Sequence, residues 1–149
     1  MERVSVEVPS ELVGPVRETV VLLYEATVES LQLSLRAHLE GRGSLEEVGL
    51  DVQRERLAQL DDLAGSLGWE TARPGEPDSG SGARQLNAPA DLLHDAFYGA
   101  LIDARERLAV TASTSWRGEL PLERVQEAAA EVLALHRLLR LLESLSLRP

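Results

Sequence analysis

The chain has no cysteine and no lysine, and only five of its 149 residues are aromatic. Without cysteine there can be no disulfide, no thiolate nucleophile and no cysteine-ligated zinc. Without lysine there is no Schiff-base chemistry and no phosphate-binding loop of the lysine type. The few aromatics (Tyr24, Trp69, Phe97, Tyr98 and Trp116) leave little flat wall for a planar ligand. Long apolar runs are missing as well: Val20 to Tyr24 is far short of the roughly 20 residues a bilayer span needs. The opening Met-Glu-Arg-Val-Ser-Val-Glu lacks the apolar stretch of a secretory signal, so a cytoplasmic protein is expected.

What is present is leucine and acid. Twenty-eight leucines point to an aliphatic core, which suits helix packing. The 25 acids outnumber the 15 bases, all of them arginine, for a net charge of −10. That balance opposes the phosphate neutralisation on which nucleic-acid affinity depends, and it disfavours anionic membranes. Nucleic acid and membrane are therefore not expected partners. At 44% hydrophobic and 27% charged, the chain has the composition of one ordinary globular domain, residues 1–149.

Arg3 to Val8 alternates with period two and reads as a strand with Val4, Val6 and Val8 on one face. Pro9 ends it, and Ser10 is placed to cap the next helix. From Glu11 to about Glu40, apolar residues recur at spacings of three and four, a helix of roughly 45 Å at the standard rise. Its stripe is wider than one neighbouring helix can cover, which predicts a central position or a shared subunit face. Gly41-Arg42-Gly43-Ser44 stops it, and a second helix is expected from Leu45 to about Leu67, with Gly49 a weak point. Residues 70–82, rich in Pro, Gly and Ser, read as a flexible linker. A third helix is expected from about Ala90 to Ser113 and a fourth from Pro121 to about Leu145. The fold class is mainly α: an antiparallel four-helix bundle of two similar hairpins, each preceded by a short strand.

The two hairpins resemble each other in sequence. Val6-Glu7-Val8-Pro9-Ser10-Glu11-Leu12-Val13 aligns with Leu86-Asn87-Ala88-Pro89-Ala90-Asp91-Leu92-Leu93 at an offset of 80. Arg42-Gly43 then matches Arg117-Gly118, and Leu60, Leu63, Ser66 and Leu67 match Leu138, Leu141, Ser144 and Leu145. Residues 3–68 and 83–146 therefore read as an internal repeat. The strand segments Arg3–Val8 and Ala83–Ala88 would pair as a two-stranded ribbon, which needs helices behind it to be stable.

Catalytic groups are scarce. His38, His94 and His136 fall in separate helices, and the one ligand-like spacing is Asp91-x-x-His94 with Asp95 beside it. In a helical bundle that spacing can hold a metal, but di-iron bundles need two such elements and two further glutamates. Acids in a first helical turn also complement the helix dipole, and we assign Asp91 and Asp95 that role. Ser79, Ser81 and Ser113 lack the strand–turn–helix elbow of a hydrolase. Glu46-Glu47 and Asp61-Asp62 read as solvated helix faces. No catalytic residue, cofactor, metal or small-molecule ligand is expected. Trp69 and Trp116, just beyond helix ends, would close the ends of a bundle or serve as partner contacts.

Residues Arg3 to Leu12, with Thr27-Val28-Glu29-Ser30-Leu31 and Leu35-Arg36-Ala37-His38-Leu39, resemble ribbon-helix-helix transcription regulators. The resemblance spans residues 3–40 and implies a strand placed in the DNA major groove. The sequence departs from that pattern: Tyr24-Glu25-Ala26 stands where the family turns on glycine, and Glu7 would face phosphates. The leading expectation is a non-catalytic helical protein that acts through protein contacts, including a homodimer. A DNA-binding ribbon and a metal-dependent enzyme at Asp91 and His94 are the alternatives.

Overall fold

A computed structural model describes residues 3–42, 49–68 and 82–146. Its order is β1 (Arg3–Val8), α1 (Ser10–Leu39), α2 (Leu50–Ser66), β2 (Arg84–Pro89), α3 (Ala90–Trp116) and α4 (Leu122–Ser146). The protein is mainly helical, with one two-stranded antiparallel sheet. It divides into two compact units, one of Met1–Thr19 with Gly82–Pro149 and the other of Val20–Ser81. The expected linker, residues 70–82, lies outside the described residues except for Gly82, as do Trp69, Ser79, Ser81, Glu46 and Glu47.

In the first unit the alternation of β1 becomes two faces. Val6 and Val8 are buried, as are Leu86 and Ala88 on β2; Arg3, Ser5, Glu7, Gln85 and Asn87 are exposed. The register pairs Val6 with Leu86, Val4 with Ala88 and Val8 with Arg84. The second strand starts and ends one residue later than the Ala83–Ala88 expected from the repeat, taking in Pro89. Pro89 has no N–H to lose from the ladder, so a strand end suits it.

A lone ribbon of this length is marginal in water, and here helices cover its inner face. α4 packs on β1, α3 packs on β2, and α3 packs along α4. The core of the unit is Leu12, Val13 and Val16 from the first turns of α1, Leu92 to Ala104 at intervals of three and four from α3, and Leu135, Leu138, Leu139 and Leu142 from α4. Phe97, the one phenylalanine, is fully buried among these aliphatics. At Gly99 a Cβ would stand 2.7 Å from Thr19 Cγ2, so the glycine is what lets α1 and α3 approach here.

Two helix ends share one construction. After α1, Gly41 takes φ 75°, its N–H donates to His38 O, and Arg42 N–H donates to Ala37 O. After α3, Gly118 takes φ 78°, its N–H donates to Ser115 O, and Glu119 N–H donates to Thr114 O. Both are Schellman stops, in which a left-handed glycine lets two otherwise unpaired carbonyls be satisfied. Because the stop residue is Gly118, α3 continues past the expected end at Ser113, and Trp116 is a helical residue rather than a post-helical one. α1 already includes Ser10, so that residue is not the cap; its hydroxyl donates to the Glu11 carboxylate instead.

The second unit holds the rest of α1 together with α2. Its helices are tied by the Gln53 side-chain amide, which donates to Ser30 Oγ at 3.0 Å and Ser34 Oγ at 3.2 Å. α2 runs from Leu50, after Gly49 at φ 68°, outside the right-handed helical region; the expected start at Leu45 lies outside the described residues. Leu60, Leu63, Ala64 and Leu67, at the C-terminal end of α2, are its buried residues.

Candidate interaction surfaces

The sequence-derived chemistry disperses. His94 is exposed and stacks on Tyr98, with ring centroids 5.9 Å apart. His136 is exposed on α4, and His38 is half-buried near the end of α1. Asp91 and Asp95 are exposed in the opening turns of α3. Among the described residues, no three His, Cys, Asp or Glu side chains gather as a metal site would require. Asp61 and Asp62 are exposed, as expected for a wet helix face, and so is Ser113.

Trp116 is 92% exposed in the last turn of α3, with exposed Leu120 and Leu122 following it in sequence. An indole left in water at this level is a surface available to a partner. Trp69 lies outside the described residues.

The apolar stripes continue where burial stops. From Val21 to Leu39, α1 carries Val21, Leu22, Leu23, Tyr24, Val28, Leu31, Leu33, Leu35 and Leu39, and not one of them is buried. Leu22 and Leu33, 64% and 59% exposed, stand three turns apart on one side of the helix. α3 has no buried residue after Ala104, and α4 has none before Leu135. Val110, Leu122 and Leu133 are well exposed in those stretches. Single exposed leucines are ordinary on any protein. A helical stretch with nine large apolar residues, of which Leu22, Leu33, Leu35 and Leu39 are exposed and the other five only half-buried, is different, and surfaces of that kind mark association sites.

The outer face of the ribbon is the second surface. Arg3 Nε donates to Asn87 Oδ1 at 2.9 Å, a terminal guanidinium nitrogen of Arg3 donates to Asn87 O at 2.8 Å, and Asn87 Nδ2 donates to Ser5 Oγ at 2.9 Å. Arg3, Ser5 and Asn87 are thereby tied together on the exposed face, which also carries Gln85 and Glu7. The alternation of the first strand, with its valines on one face, puts Arg3, Ser5 and Glu7 on the other; Asn87 was given no role. The two-residue alternation of the second strand carried that signal.

No protein-family model matches the chain, and no match was found to a curated protein or a solved structure. Among the described residues, no helix is long and apolar enough to cross a membrane.

Proposed function

We propose that this is a non-catalytic helical protein that works through protein–protein contacts and associates with copies of itself. The observation that carries this reading is the apolar stretch of α1 from Val21 to Leu39, exposed at Leu22, Leu33, Leu35 and Leu39 and only half-buried at its other large apolar residues. Each large aliphatic side chain left in water forgoes roughly 1.5–3 kcal/mol of burial free energy, which association would recover in part. Size-exclusion chromatography with light scattering tests it. The expected mass is a multiple of 16.3 kDa at micromolar concentration, and a strict monomer at high concentration overturns it.

The internal repeat of residues 3–68 and 83–146 belongs to the same reading, with the antiparallel bundle of two similar hairpins that it implies. Several features support it. At the offset of 80, Val6 and Leu86 are counterparts and also cross-strand partners. The pairs Val4–Ala88 and Val8–Arg84 then become one pair seen twice, as a local twofold requires. Thr19 and Gly99, also counterparts, meet each other. Leu12, Val13 and Val16 are buried, and so are Leu92, Leu93 and Ala96. In the second helices the burial favours an offset of 75: Leu60, Leu63, Ala64 and Leu67 correspond to Leu135, Leu138, Leu139 and Leu142, all buried. The sequence alignment instead sets buried Leu63 against half-exposed Leu141.

The ribbon favours a second reading, a regulator that binds DNA through the outward Arg3, Ser5, Gln85 and Asn87. Such side chains can read base edges in the major groove. Glu7 on the same face and the net charge of −10 work against it. If the ribbon reads DNA, fluorescence anisotropy at low salt should detect binding that weakens steeply as salt rises. No binding to any duplex at low salt removes this reading.

A further inference from the structure

A groove in the first unit has walls of opposite charge. One wall is Glu7 at the end of β1, Pro9, and Glu11 in the first turn of α1; the other is Ala134, Arg137, Leu138 and Leu141 of α4. The groove encloses about 250 Å³, enough for a few side chains and too little for a helix. Its floor is apolar. Leu133, one turn earlier on α4, is 57% exposed and Leu141 is 46% exposed, so the greasy strip runs on beyond the groove. Glu7, Glu11 and Arg137 are all exposed, and among the described residues no ion pair joins Arg137 to either acid.

A surface with an apolar centre, a basic side and an acidic side is complementary to itself after a half-turn. The base of each copy then meets the acids of the other, and the apolar centre meets itself. We infer that this groove is a contact between two copies of the chain, with Arg137 of each facing the partner's Glu7 and Glu11 across the Ala134, Leu138 and Leu141 floor. The inference rests on the self-association reading and adds to it a charged contact, on a face other than the α1 stretch, without which that apolar stretch does not hold two copies together. Charge matters here for a further reason. Two copies of net charge −10 repel, so a contact that sets arginine against acid is favoured over one chosen for apolar area alone.

The test uses two full-length variants, Arg137→Glu and the double substitution Glu7→Arg with Glu11→Arg. All three side chains are exposed, so far-UV circular dichroism should match the wild type, and Arg137→Glu alone suffices if the double variant does not fold. Each variant by itself presents like charges across the contact, and light scattering should read 16.3 kDa. Mixed in equal amounts, the two present opposite charges at both ends, and the mass should return to twice that of the chain. Variants that associate as tightly as the wild type overturn this face while leaving self-association standing. A wild type that is monomeric at every concentration overturns both. Variants that separate but do not reassociate on mixing overturn the charge pairing.

Discussion

At the scale of single residues, Gly99 shows how little space separates packing from collision. Glycine inside a helix costs roughly 1 kcal/mol relative to alanine. That cost is carried here because a Cβ would meet Thr19 Cγ2 at 2.7 Å. Thr19 is β-branched and stiff, and its hydroxyl is engaged with Pro15 O at 3.2 Å, so it yields poorly. Gly99→Ala should therefore destabilise by about 1–2 kcal/mol in denaturant unfolding, as overpacked sites do. In a Thr19→Ser background, which keeps the hydroxyl and removes the methyl, the same change should become stabilising by up to about 1 kcal/mol. Equal effects in both backgrounds would refute this account. Nothing local in the sequence marks Gly99 as different from any other helical glycine; the neighbour that makes it necessary comes from a different helix.

At the scale of elements, most of the helices were legible. The stripes of three and four located α1, α3 and α4 to within a few residues, because the apolar period follows from helical geometry. The misplaced ends have definite causes. α3 overran Ser113 because its stop is a left-handed glycine at Gly118, and a polar Ser-Thr-Ser run does not by itself end a helix. Gly118→Ala should cost about 1–2 kcal/mol, since a Cβ is disfavoured at φ 78° by that amount. Thermal unfolding measures it, and an unchanged midpoint would mean the Schellman stop is not needed there. The second strand and its pairing were anticipated from the repeat, displaced by one residue. The groove between Glu7, Glu11 and Arg137 was not anticipated, because its walls lie at opposite ends of the chain.

At the scale of the whole molecule, the question is what the exposed half of each stripe is for. Association of native copies has a thermodynamic signature separate from a measured mass. Partners that bind only the folded state raise apparent stability by mass action. The unfolding midpoint should therefore climb by several degrees over a hundredfold rise in protein concentration. A midpoint independent of concentration would weigh against self-association as the role of these faces. Trp116 offers a local readout in a Trp69→Phe variant, where it is the one tryptophan, since a change in its fluorescence with concentration would place the contact near the end of α3.

Local pattern was enough to establish that helices form, roughly where they start, and that two short valine- or leucine-bearing strands accompany them. Period and turn chemistry are properties of neighbouring residues, so they can be read along the chain. Tertiary structure alone decided which part of each stripe is buried. The stripe of α1 continues past Val20, yet full burial ends there, and in α3 it ends at Ala104. Burial depends on what arrives from distant segments, and the period of a helix carries no record of that.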